Sequence, residues 1–217
     1  MHWPHGVILR ERLDGGTLKG GVLLSRIRWI GDFGITGGFG ALRSKVSPAT
    51  ASVLYGPILP ISSYPFRALV ETDRAIAALL GADESAVAAR LGRYSAWLNL
   101  TTSFKHYRGQ GPHDIFAAAA RMHRQYQDFG REEYARTGTA ACCMSLLDNR
   151  CYSKTYCWSA AGYFEQAARL HGGVEPRVSE VECVCAGDAA CRFEIAWRGE
   201  KPQVFDEGTL LALKPAS

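Results

Sequence analysis

The sequence predicts an α+β domain in which an antiparallel sheet of about four strands carries helices on one face. Three observations lead to that class. Up to Gly130 the apolar residues recur with helical spacing, as over Phe66–Leu80 and Pro112–Phe129. After Gly130 the period drops towards two, over Thr139–Leu147, Val178–Cys185 and Ala190–Trp197. The turn signals Thr137-Gly138 and Gly187-Asp188 join neighbouring runs as hairpins, and hairpins make antiparallel sheets.

Residues 1–17 form a poorly patterned arm, in which His2 and His5 are read as exposed rather than as ligands. The domain proper is expected over residues 18–197, with a polar, proline-containing tail at 198–217 in which Leu210 to Leu213 docks weakly. Leu18 to Phe33 is apolar with Arg26 and Arg28 interleaved, and is expected as a helix ending at Gly34, before the break at Ile35-Thr36-Gly37-Gly38. Ser47 and Pro48 have the N-cap and first-position chemistry of a short helix. Gly56–Pro65 is an extended loop held by three prolines. Phe66–Leu80 is amphipathic and closes at Gly81. Asp83 caps a helix expected to run from Glu84 to Tyr107, with Val87, Leu91, Tyr94, Leu98 and Thr102 inward. Pro112–Phe129 stops at Gly130; Glu133–Ala135 and Thr139–Leu147 are strands, and Asp148-Asn149 is a turn. Ser153–Leu170 is a long helix ended by Gly172-Gly173, and the last hairpin follows.

The 217 residues carry a net charge of +4, with the basic residues scattered, which excludes a nucleic-acid footprint. No apolar run spans a bilayer and the N-terminus lacks the order of a signal peptide, so a cytoplasmic protein is expected. Seven cysteines, an odd number, suit thiols or metal ligands better than a disulfide framework. Alternation puts Val181, Cys183 and Cys185 on one face of the penultimate strand, and Cys191, Phe193, Ile195 and Trp197 on one face of the last. Cys157 lies on the apolar stripe of its helix beside Ala160, Ala161, Phe164 and Ala168. Inward thiols on a helix and both arms of one hairpin are either core fillers or ligands. Cys142, Cys143, Cys151 and Cys185 have no assigned role; adjacent Cys142 and Cys143 point one thiol to each sheet face.

The block from Leu69 to Trp197 resembles the 4-vinyl reductase superfamily of small-molecule-binding domains. The resemblance rests on Cys157-Trp158 with Gly162-Tyr163, then Glu180-Val181-Glu182-Cys183 and Gly187-Asp188-x-x-Cys191-x-Phe193. Upstream, Ser62 to Phe66, Leu91-Gly92 and Tyr126 to Gly130 are similar to a paralogous family expanded in myxobacteria. The fold so implied is shared with sensory domains of phenol-responsive activators, with TRAPP-type trafficking subunits and with haem-based nitric oxide sensors. The resemblance implies structural zinc held by Cys157, Glu180, Cys183 and Cys191. Simple alternation puts Glu180 and Glu182 together on the face opposite Cys183, so the residue pattern leaves both open, and ligation by Glu180 needs a bulge. It also implies a pocket between sheet and helices, assigned to Trp97, Phe104, His106, Tyr126 and Trp158, with His106 or His123 as polar anchor. Tyr152-Ser153-Lys154 lacks the Tyr-x-Ser-x-Arg signature of the haem branch, so no haem is expected.

The function expected is a small-molecule sensor taking an apolar or aromatic ligand and signalling through a protein partner or a homodimer formed by the N-terminal helices. One alternative is a trafficking-type interaction module with a filled pocket; another is an enzyme accessory in tetrapyrrole-type chemistry. Neither a nucleophile elbow nor another catalytic motif appears, so catalysis by the chain itself is not expected.

Overall fold

A computed structural model describes residues 10–33 and 37–203. His2, His5, Ile35-Thr36 and the Leu210–Leu213 segment lie outside the described residues. The elements run β1 (Thr17–Lys19), α1 (Gly20–Phe33), α2 (Pro48–Leu54), β2 (Ser63–Pro65), α3 (Phe66–Leu80), α4 (Glu84–Thr101), α5 (Pro112–Tyr126), β3 (Arg131–Gly138), β4 (Ala141–Leu147), α6 (Lys154–Leu170), β5 (Arg177–Glu182) and β6 (Cys191–Ala196). Strands β3-β4-β6-β5 form, in that order, a four-stranded sheet in which every neighbouring pair is antiparallel. The class is therefore α+β, as the change of period predicts.

Period-two burial sets the sheet's two faces. Cys142, Met144 and Leu146 of β4 and Cys191, Phe193 and Ile195 of β6 are buried, while Arg192 and Glu194 point out. Helix α6 lies over the buried face, bringing Cys157, Phe164 and Ala168 into the core; the Phe164 and Phe193 rings meet edge-on at 5.4 Å. Helix α4 then crosses α6 with backbones almost touching. A Cβ on Gly92 would stand 1.9 Å from the Ser159 carbonyl oxygen, and one on Gly162 2.0 Å from that of Ala89. Only glycine permits that approach.

Local chemistry sets most of the helix ends. The Ser47 hydroxyl accepts from the Thr50 N–H at 3.3 Å, and Asp83 Oδ1 accepts from the Ala86 N–H at 2.9 Å. Gly81 closes α3 in the left-handed region at φ 58°. Helix α4 stops at Thr101, six residues short of the expected Tyr107. The Thr101 hydroxyl donates to the Trp97 carbonyl at 2.7 Å and that of Thr102 to the Leu98 carbonyl at 2.6 Å, and Thr102 leaves helical geometry at ψ −84°. Two hydroxyls competing for last-turn carbonyls favour an end there. Thr102 is exposed, not inward.

The N-terminal region also departs from expectation. Residues 17–19 are a strand paired with 63–65, so the helix begins at Gly20. A Cβ at Gly20 would lie 2.2 Å from the Leu59 carbonyl oxygen, and the Gly20 N–H donates to the Ser62 carbonyl at 2.9 Å. The described end of the arm is tied down: the Arg10 N–H donates to the Cys185 carbonyl at 2.7 Å, and Arg12 bridges Tyr152. The chain after Trp197 is tied too, Glu200 bridging Gly173. Among the described residues no helix is long and apolar enough to cross a membrane.

Candidate functional site

Two arrangements of side chains sit around α6. The first is a buried cluster of three thiols and a carboxylate. Cys157 comes from α6, Glu180 from β5, Cys183 from just beyond it, and Cys191 opens β6. All four are buried, and one ligand atom from each lies within 4.8 Å of every other. The β5–β6 register shifts between Glu180 and Glu182: Glu180 stands opposite Phe193 and Glu182 opposite Arg192. Val181 is the extra residue of this bulge and is 44% exposed, contrary to the alternation that put it inward. The bulge turns Glu180 into the core and leaves Glu182 outside, 3.4 Å from Arg192. It thus separates two carboxylates that alternation could not.

The hairpin that follows is shaped by its turn. Gly187 takes φ 104°, and Asp188 Oδ2 accepts from the Cys183 N–H at 2.7 Å. Cys157 Sγ lies 3.6 Å from Cys191 Sγ and 4.0 Å from Cys183 Sγ. The Val184 N–H reaches Cys191 Sγ at 3.4 Å. Contact with Cys157, Cys185 and Cys191 pushes the Cys183 thiol below its usual range. That contact and burial push Cys157 up. Burial also pushes the Glu180 carboxyl up to about 7, against the Lys154 ammonium that pairs with its Oε2. The other oxygen, Oε1, is buried and accepts no hydrogen bond among the described residues. Cys185 is buried beside the set, Cys142 faces the core, Cys143 the opposite sheet face, and Cys151 packs with Phe129 in a separate cluster.

The second arrangement is a cavity of about 160 Å³ between α1, α4, α5, α6 and the β3–β4 ribbon. Its body is apolar, with Leu18, Leu100, Ile115, Phe116 and Phe164 on the walls. Of the residues assigned to a pocket, Phe104 and Tyr126 line it; Trp97, His106 and Trp158 do not. The helical spacing linking Trp97 to Phe104 fails because α4 ends between them. His106 sits on an exposed turn, its ring 4.3 Å from that of Tyr107. The histidine at the cavity is His123, on the inward face of α5. Its Nε2 lies 3.2 Å from the Phe129 carbonyl oxygen and 2.9 Å from the Gln127 amide nitrogen; its Nδ1 is 3.4 Å from Glu132. Tyr156 donates to Gln127 Oε1 at 2.7 Å, completing this wall.

Arg26 forms the opposite polar wall. It makes a bidentate pair with Asp73, Nε to Oδ1 at 2.9 Å and Nη2 to Oδ2 at 3.0 Å. It also donates to Ser159 at 2.8 Å, to Ser25 at 3.1 Å and to Ser95. One guanidinium from α1 therefore bonds α3, α4 and α6 together. Arg26, Gln127 and Glu132 carry no sequence signal for a cavity, because in one dimension they read as the polar side of a helix or strand.

No family model and no curated protein matches the chain. Solved structures do. An H-NOX protein from S. oneidensis in the Fe(II)NO ligation state superposes with a TM-score of 0.63 at 13% identity, covering 84% of this chain and 100% of that one. A structure described as probing the function of haem distortion in the H-NOX family gives 0.62 at 16% identity, covering 86% and 98%. An oxygen-binding H-NOX domain related to soluble guanylate cyclases, in its oxygen complex, gives 0.59 at 16% identity, covering 84% and 96%. The fold of this chain is H-NOX-like.

That finding corrects two expectations. The resemblance to the 4-vinyl reductase superfamily does not hold, since the structures sharing the fold are H-NOX domains. In this chain Gly187 and Asp188 shape the hairpin turn and Phe193 makes a core contact. The expectation of zinc with haem excluded is likewise overturned: the neighbours are described by haem and Fe(II), not zinc.

Proposed function

We propose that the chain is a small-molecule-binding sensor module of H-NOX-like fold, a cytoplasmic domain over residues 18–197 that binds rather than catalyses. The carrying observation is the cavity of about 160 Å³, apolar in its body and polar at two walls. An engineered apolar cavity of about 150 Å³ admits benzene, so this one matches a single-ring or similarly small apolar molecule. His123, not His106, is the histidine on the cavity wall, and Gln127, which is hydrogen-bonded to it, is the neighbouring amide that could serve a ligand as polar anchor.

The solved neighbours raise the question of haem. A macrocycle needs more room than this cavity of about 160 Å³ and a free nitrogen donor on its wall, whereas His123 is engaged by Phe129, Gln127 and Glu132. As placed, these residues do not fit it. Titration of the purified protein with indole and, separately, with haemin tests the reading. Indole at a hundredfold excess over its Kd should stabilise the fold by about 2.7 kcal/mol, and Ala160→Phe, which fills the cavity, should abolish the shift. Indole leaving the melting temperature unmoved, with haemin giving a histidine-ligated absorption band lost in His123→Ala, would replace the one-ring ligand by a tetrapyrrole.

The thiol–carboxylate cluster carries a second part of the reading, a metal-ion site at Cys157, Glu180, Cys183 and Cys191. The orphaned Glu180 Oε1 supports it, as does the mixture of donors, since thiolates select soft ions. Cys183→Ser should lower the metal content measured by elemental analysis and Cys185→Ser should leave it unchanged; equal metal content in both variants argues for plain core thiols.

Signalling would leave through a partner protein or a second copy bound to the N-terminal half. The apolar side of α1 finds its cover within the domain, with Leu23, Trp29 and Ile30 buried. Leu59 and Ile61, 57% and 83% exposed on the α2–β2 loop, are among the exposed apolar residues open to such a contact. Sedimentation that finds a monomer at micromolar concentration counts against the homodimer.

A further inference from the structure

The three serines around Arg26 differ in where their hydroxyl protons go. A guanidinium donates and never accepts, so Ser25, Ser95 and Ser159 all accept from Arg26. Asp73 takes the remaining two donors, and the guanidinium is fully used. Ser25 passes its own proton to the Val22 carbonyl at 2.7 Å. With that proton committed, Ser95 is the donor in the 2.7 Å bond between the Ser95 and Ser25 oxygens. Ser159 has no such outlet. Its oxygen accepts from Arg26 Nη2 at 2.8 Å, and its O–H meets no acceptor among the described residues. Other helical hydroxyls return their proton to the preceding turn, Thr72 to the Ala68 carbonyl and Thr101 to the Trp97 carbonyl. Ser159 is 6% exposed, and both it and Arg26 line the cavity. The wall therefore holds one buried donor left over, and burying an unused donor is costly.

We infer that Ser159 selects the ligand by donating a hydrogen bond to it, and that the ligand is a small aryl or alkyl ketone or aldehyde with its carbonyl oxygen at Ser159. This rests on the sensor reading above and deepens it from any small apolar molecule to a carbonyl compound. Arg26 polarises the hydroxyl that accepts from it, which strengthens the bond that hydroxyl donates. A hydrocarbon of the same shape leaves the Ser159 proton stranded. An alcohol brings a further proton to a wall that already has a donor in excess. A carbonyl group supplies an acceptor and nothing that needs a partner.

The test is calorimetric titration with acetophenone and with α-methylstyrene, which has the same shape with a methylene in place of the carbonyl oxygen. Ser159→Ala should weaken acetophenone about fivefold, as the loss of one net hydrogen bond does, and leave α-methylstyrene unchanged. In the unaltered protein the carbonyl stretch of bound acetophenone should lie below its position in hexane, and in Ser159→Ala it should return to that position. Ser159→Cys, a weaker donor, carries the same comparison should the alanine variant fail to fold. A carbonyl band at the hexane position in the unaltered protein, a lowered band that survives loss of the hydroxyl, or equal effects on the two compounds overturns the inference and leaves the cavity reading standing. Failure of both compounds to bind overturns the cavity reading as well.

Discussion

At the scale of single residues the molecule turns on buried charges. Arg26 and Asp73 are both buried almost completely, 2% and 1% exposed, and each depends on the other. Burial pushes the Asp73 carboxyl up, and the Arg26 guanidinium opposes that push. A pair of this kind contributes modestly to net stability, yet breaking it strands a charge in the core. Asp73→Ala should therefore cost about 3–5 kcal/mol in urea unfolding. Arg26→Met with Asp73→Leu together should cost less than either change alone. A double variant as unstable as the sum of the two would mean the residues act independently. Neither role shows in sequence: Asp73 reads as part of a solvated helix face beside Glu71 and Arg74, and Arg26 as an interruption of an apolar run. A charged residue's partner is found only when α1 and α3 are brought together.

Among the elements, α6 is the one to which the others are fitted, and its ends and crossing make predictions. Ser153 occupies its N-cap position, yet the cap comes from the N-terminal arm. Glu11 Oε1 accepts from the Ser153 hydroxyl at 2.8 Å, from the Lys154 N–H at 3.3 Å and from Arg74 at 2.6 Å. Burial raises the Glu11 carboxyl, but the Arg74 and Ser153 hydrogen bonds outweigh it and the net shift is below the ordinary 4.5. A lowered folded-state value means the stabilisation is complete above the unfolded pKa and is lost as pH falls through the folded one. Glu11→Gln should cost roughly 1 kcal/mol at pH 7, a typical cap contribution. It should cost little in acid, where the wild-type carboxyl is protonated; a cost equal at both ends of the pH range would exclude charge as the cause. At the crossing, Gly92→Ala should destabilise by roughly 1–3 kcal/mol, as overpacking does, because the new Cβ meets the Ser159 backbone. An unchanged denaturant midpoint for Gly92→Ala would mean the helices separate freely.

The helices and strands themselves were largely legible, since amphipathic period, caps and glycine stops are local. The end of α3 at Gly81 and the β4 and β6 faces lie where pattern puts them, whereas α5 ends at Tyr126, three residues before the expected Phe129. The failures have both local and distant causes. Helix α4 is shortened by threonine hydroxyls acting on its own carbonyls, and the first strand is made by pairing with residues more than forty positions away. The bulge at Val181 moves Glu180 to the inner face, a change that strict alternation forbids.

For the whole molecule, the two candidate sites differ in how far sequence reaches. The thiol cluster was assembled from inward faces of one helix and one hairpin, elements close in sequence whose packing follows from their stripes; the structure brings Cys157, Cys183 and Cys191 together. The cavity was not legible, because its walls come from elements spread between Leu18 of β1 and Ala167 of α6 and a cavity is the space that packing leaves over. Phe104 and Tyr126 reach it, whereas Trp97, His106 and Trp158, equally aromatic by composition, fall elsewhere. By itself the sequence determined the α+β class, the faces of β4 and β6 and the inward thiols, because hydrophobic period and turn chemistry act over a few residues. Only the tertiary structure decided which histidine meets the cavity and which glutamate joins the thiols. Those outcomes depend on register, bulge and helix crossing, and they are set by contacts between residues far apart along the chain.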